Sequence, residues 1–199
     1  MSTRSEIEET AKRYMHRDDF LTADFDFAFA VAAREFGQHL RAQVNQVQAD
    51  LQLVDGAVDL GERAREVSTV MAEDTGGWRP LQSASDTYVS MARSNGASGP
   101  PVFYSVVGSW LRVGPRSDGL VRVTYWEEPE LLSAGSDSNA VSAAYPELYL
   151  YRVLQELAMV TQDFELAAMY AGKVQDRLDG LNLQGRMIWT GNAPAMTAA

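Results

Sequence analysis

The chain has 199 residues, 46% hydrophobic and 22% charged, with no cysteine and a net charge of −10. That length holds one or two domains with a sizeable core, and the lack of cysteine excludes disulfides, thiolate metal sites and cysteine nucleophiles, which suits a reducing cytoplasm. Residues 1–100 carry 16 acids and 10 bases and residues 101–199 carry 11 and 7, so no basic arm offers itself to nucleic acid, and the overall field repels phosphates and anionic lipid.

No run of about 18 apolar residues is present to span a membrane. The opening MSTRSEIEETAKRYMHRDDF mixes charges every few residues, so a secretory signal is not expected. A first helix is predicted over Ser5–Arg17, with Glu6, Glu8 and Glu9 early and Lys12, Arg13 and Arg17 late, the order a helix dipole favours; Asp18-Asp19 breaks it. A second runs from Phe20 to about Gln43, because Phe25, Phe29, Ala32, Ala33, Phe36 and Leu40 recur in steps of three and four.

From Val44 to Glu128 the period changes. Leu51 and Leu53 lead into Asp55-Gly56, a strand entering a tight turn, and REVSTVMA and WRPLQ flank Gly76-Gly77 as a second hairpin. A short helix is predicted at Ser85–Arg93, capped by Ser83 or Ser85, followed by an irregular SNGASGPP loop. Phe103–Val107 and Trp110–Val113 flank a Gly108-Ser109 turn, and LVRVTYW alternates like a half-exposed strand.

After a polar loop at Ser133–Ser142, Pro146 opens a helix with Leu150, Leu154 and Leu157 on one face. Asp163 caps a second, in which Phe164, Ala167, Ala171, Val174, Leu178 and Leu181 repeat. The short link makes an antiparallel helical hairpin, with Leu150, Leu154 and Leu157 expected against Phe164, Ala171, Val174 and Leu178. Ala167, Ala168, Ala171 and Gly172 are expected to permit close helix approach. From Gly185 on, Gly191, Asn192 and Pro194 interrupt any helix, leaving a tail at 186–199. The expected class is α+β: an antiparallel helical bundle (1–45 and 145–184) with a small antiparallel β subdomain (46–132) inserted, together one domain over 1–185.

Catalytic patterns are missing. His16 and His39 have no ligand-type partner at helical spacing, so no metal site of the H-E-x-x-H kind is expected. VVGSW around Ser109 lacks the nucleophile-elbow pattern, and no glycine-rich phosphate cradle occurs. Asp24 and Asp26 are two apart, hence on different sides of a helix, and Glu127, Glu128 and Glu130 flank Pro129 in a turn. A carboxylate pair from distant positions, working on a glycosidic bond, stays open as an alternative. The tyrosines and tryptophans sit mostly on periodic faces, expected to be core.

Three segments carry a resemblance. Tyr145–Ala158, YPELYLYRVLQELA, resembles the tyrosine-rich segment that leads into an alanine- and leucine-rich helix in bacteriophage head-to-tail adaptor (connector, or head-completion) proteins. Tyr104–Pro115, YSVVGSWLRVGP, resembles that family's hairpin ending in proline, and Val121–Ser133, VRVTYWEEPELLS, its strand with adjacent aromatics followed by Leu-Ser. Arg152-Val153 departs from the small residues more usual there. The likeness spans roughly residues 20 to 185.

It implies a non-enzymatic structural protein of the virion neck, assembled in the host cytoplasm. It also implies a ring, commonly twelve copies, beneath the portal protein and above a tail protein (nozzle or tail-tube), with DNA only passing through its lumen and no cofactor. Two alternatives stay open: a virion-associated cell-wall hydrolase using scattered carboxylates, and a different connector part, such as a tail-tube or tail-terminator protein, although those are mostly β-structured. The tail's Arg186, Met187, Ile188 and Trp189 form an apolar cluster with one base. Two readings stand: a mobile end, or a segment that orders on the portal or a neighbouring subunit.

Overall fold

The computed structural model describes residues 3–94, 99–133 and 135–191, the last seven by backbone alone. Two compact units emerge: a helical one from Met1–Asn45 and Glu128–Ala199, and a β unit from Gln46–Glu127. The α+β class is as expected, with strands more extensive than the sequence pattern indicated.

In the helical unit, α1 (Arg4–Met15) starts on a capping box in which Thr3 and Glu6 each bond the other's backbone N–H. It stops because His16 turns left-handed at φ 50°, two residues before the Asp-Asp pair expected to break it. Helix α2 (Thr22–His39) begins later than its apolar period, since Asp24 accepts the Leu21 N–H at 2.9 Å and fixes the first turn there. Phe25, Phe29 and Phe36 are buried along one face.

A short helix missed in the sequence, α4, occupies Ala140–Ala144, overlapping the end of the expected polar loop, and is capped by the Asn139 side chain. The helical hairpin follows: α5 (Pro146–Val160), with proline in its first turn, and α6 (Phe164–Gly191), where Asp163 accepts the Leu166 N–H at 3.0 Å. Leu154 and Leu157 are fully buried, as are Val174 and Leu178 to within a few per cent. Several positions differ from expectation. Leu150 and Ala171 are only half-buried, and Ala168 and Gly172, expected to let the two helices approach closely, face outward. Phe164 is 64% exposed, because it lies at the hairpin's turn, and Ala167 and Tyr170 fill the face instead. The helix also does not end at Gly185: its backbone continues to Gly191, one glycine being a tolerated cost rather than a stop.

The β unit packs two four-stranded sheets on one core. The first has the order β1 (Gln46–Gln52), β8 (Leu120–Glu127), β3 (Ala64–Asp74), β4 (Gly77–Pro80), all antiparallel. The second has β2 (Ala57–Asp59), β7 (Trp110–Gly114), β6 (Phe103–Val107) and β5 (Gln82–Ser83), with β5 parallel to β6. Val121, Val123 and Tyr125 of β8 point into the core with Val70, Leu111 and Val113.

The expected tight turn forms, with Asp55 and Gly56 both at positive φ (51° and 69°). It nonetheless sends β1 and β2 to different sheets instead of closing a ladder between them. Leu81 makes a second crossing: buried, its N–H bonds Val70 O at 2.9 Å before the chain pairs as β5. Helix α3 (Asp86–Ser94) starts at Ser85, whose Oγ accepts the Tyr88 N–H at 3.3 Å.

Candidate interaction surfaces

Most of the carboxylates singled out by sequence are bound into structure. Asp24 fixes the start of α2, and Asp26 pairs with Arg4 at 2.6 Å. Glu127 lies 3.5 Å from Arg63. Glu128 packs under α2 at Gly37, where an added Cβ would stand 2.7 Å from Glu128 Cγ, so glycine is what permits this approach. Glu130 is exposed and gives its carbonyl to Asn139.

His16 and His39 are exposed at the ends of different helices. Among the described residues no group of three His, Asp or Glu is placed to hold a metal ion, and no helix is long and apolar enough to cross a membrane. A shallow groove of about 250 Å³ lies between α1 and α5 over Ile7, Thr10, Pro146 and Leu150. Its two acids are engaged, Glu6 on the Thr3 N–H and Glu147 on Arg177.

Buried polarity serves packing. Arg152 is 7% exposed and ion-paired to Glu35 of α2 and to Glu156 one turn on, so the departure from small residues at this point becomes a charged clamp between α2 and α5. Arg4 does the same for α1: it bonds Glu8 and Asp26 at 2.6 Å each, donates to Leu132 O and lies over the Phe29 ring. Tyr149 packs edge-on against Phe36 and takes a 2.8 Å hydrogen bond from Asn139 Nδ2. Its burial pushes the phenol up to about 12, since the phenolate has no solvent there; the Asn139 bond acts the other way.

Apolar side chains are also left outward. At the turn of the helical hairpin Met159, Val160 and Phe164 are 48, 53 and 64% exposed. In the β unit the β6–β7 turn carries Val106, Val107 and Trp110 at 41, 44 and 49%. Trp110 was expected in the core with the other aromatics, but register places it opposite Val107, one residue from the turn, where no second layer covers it. Clusters of this type on a hairpin end mark contact surfaces. Sequence reading missed both, because alternation identifies a strand or helix face without saying where the neighbouring layer stops. The cluster that it did name, Arg186, Met187, Ile188 and Trp189, falls on the α6 backbone, and its side chains lie outside the described residues.

No curated protein matches the sequence. The family model described as SU10 adaptor protein matches residues 2–197, nearly the whole chain. That match, over nearly the whole chain, shows the family: the chain belongs to the SU10 adaptor protein family and is a structural, virion-located phage protein of the connection between head and tail.

Proposed function

We propose that this protein forms a closed ring beneath the portal, commonly of twelve copies, which joins the DNA-filled head to a tail protein (nozzle or tail-tube) and lets DNA pass. The observation that carries the reading is the pair of exposed apolar hairpin ends, Met159–Val160–Phe164 and Val106–Val107–Trp110, on a chain whose core is otherwise closed. A solitary protein gains nothing from either; a component held between two partners uses both. The net charge of −10 fits a lumen that DNA traverses without being gripped.

The helical unit is the body that packs in the ring, with the β unit as its inserted subdomain. The C-terminal segment anchors the portal, through Arg186, Met187, Ile188 and Trp189. Sedimentation and negative-stain imaging of the protein alone and mixed with its portal test this. The expected result is a monomer or weak oligomer alone and a ring on portal; a stable dimer indifferent to portal rejects it. Deleting residues 186–199 is expected to remove only the last turns of α6 and keep the thermal midpoint but abolish docking, and unchanged affinity would place the anchor on the folded body.

A further inference from the structure

The outward faces of α2 and α6, both in the helical unit, carry complementary features that the chain itself leaves unused. On α2, Ala23, Phe27, Ala30, Val31, Arg34 and Gln38 share one stripe by helical period. Phe27 is 59% exposed, and the exposed Arg34 has no ion pair among the described residues. On α6 the stripe holds Glu165, Ala168, Met169, Gly172, Asp176 and Leu183, with Met169 and Leu183 45 and 60% exposed and Asp176 likewise without an ion pair among the described residues. One face offers a ring and a cation; the other offers small residues, apolar side chains and acids.

The two stripes are also in register. Both helices run antiparallel to α5: Glu35 and Phe36 meet Arg152 and Tyr149, while Tyr170 and Arg177 meet Tyr151 and Glu147. At their far ends the Asn182 side chain bonds the Arg41 N–H and the His39 carbonyl, which sets residue 40 level with residue 182. Equal rise per residue keeps the levels matched. Six residues back stand Arg34 and Asp176; thirteen back stand Phe27 and Met169, the latter between Ala168 and Gly172. Subunits related by rotation about an axis along these helices stay at one height, so the α2 face of one copy meets the α6 face of the next at those levels. A Cβ at Gly172 would touch nothing within 4 Å, so the isolated fold has no packing use for a residue that weakens the helix. A helix approaching from another copy has one.

We propose that the outer face of α2 in one copy docks on the outer face of α6 in the next, with Phe27 seated between Ala168 and Gly172 and Arg34 paired with Asp176, as the repeating contact of the ring. This rests on the ring reading above. The natural chain has no cysteine, so a full-length Arg34→Cys/Asp176→Cys variant reports the contact without background. Mild oxidation is expected to yield a ladder of multimers that closes on a ring, while either single variant stays unlinked. Cross-linking no stronger than in a Glu73→Cys/Ser83→Cys control overturns the proposal.

Arg34→Asp and Asp176→Arg should each weaken self-association at least tenfold and restore it when combined; failure of the combination to restore it counts against the pair. Gly172→Gln should abolish assembly with a thermal midpoint at or above wild type, a sign that misfolding cannot produce, and normal assembly of this variant overturns the docking. Wild-type protein on portal separates the two levels: no ring there defeats the ring reading, whereas a ring whose cysteine pair stays unlinked defeats only the docking proposed here.

Discussion

In the helical unit the core holds Phe25, Phe29, Phe36 and Tyr149 together with two sequestered guanidinium groups, Arg4 and Arg152; in the β unit it is Val, Leu and Ala with Tyr104, Tyr125 and Ser105, and no arginine is buried among the described residues. The difference follows from how each architecture fixes its register. A β ladder fixes it through backbone hydrogen bonds, and a slip of one residue would turn every core side chain of β8 outward. Packed helices have no such ladder, and aliphatic faces slide at small cost. Arg152 between Glu35 and Glu156, and Arg4 between Glu8 and Asp26, supply directional bonds at the points where the β unit needs none.

The comparison can be broken first at the cores. Leu154→Ala and Leu111→Ala each remove a fully buried leucine and are expected to cost about 2–5 kcal/mol by denaturant unfolding. If either leaves the midpoint unchanged, the packing assigned to its unit is wrong. The next largest effect concerns the clamp. Arg152→Ala strands two partly exposed carboxylates and is expected to cost about 2–4 kcal/mol, somewhat below the loss for a fully buried pair. Replacing all three by apolar residues (Arg152→Met, Glu35→Leu, Glu156→Leu) should bring stability back to within about 1 kcal/mol of wild type while broadening the unfolding transition. A triple variant with a wild-type, sharp transition would show that the clamp does not set register.

Alkali probes the same unit. Tyr149 is held near 12 in the folded chain against 10 when free. The stability from its burial is therefore complete below pH 10 and is lost as pH rises from 10 to 12, by up to about 3 kcal/mol at 1.36 kcal/mol per pH unit. Tyr149→Phe should flatten the stability profile in that window, and an unchanged slope would assign the alkaline loss elsewhere. The smallest effect is at a cap: Asn139→Ala is expected to cost about 1 kcal/mol, read as a lower thermal midpoint, because it frees the Ser142 N–H at the start of α4.

Legibility divided along the same line. The helical hairpin was readable because its contacts are local: Leu154 and Leu157 mark their face by spacing, and Pro146 and Asp163 mark the starts. Strand positions were nearly as clear, down to the turn at Asp55-Gly56. Strand partners were not, since β1 pairs with β8 across some seventy residues and nothing local in Gln46–Gln52 names that partner. Helix α4 was missed for a different reason: five residues are too few for a period, and its signal rested on Asn139 and Ser142 capping each other. The apolar hairpin ends escaped because exposure is a property of the neighbours that are absent.

The pairing of β1 with β8 also orders events in time. A chain leaving the ribosome presents α1 and α2 long before α5, the helix that covers their apolar faces, and β1 long before β8. The β unit is contiguous in sequence, so it has everything that it needs once residue 127 has emerged. Until Pro146–Val160 follows, Phe25, Phe29 and Phe36 have no α5 to cover them. The first 45 residues are thus the stretch that spends longest unsatisfied during synthesis, and the one on which a holding chaperone has most to act.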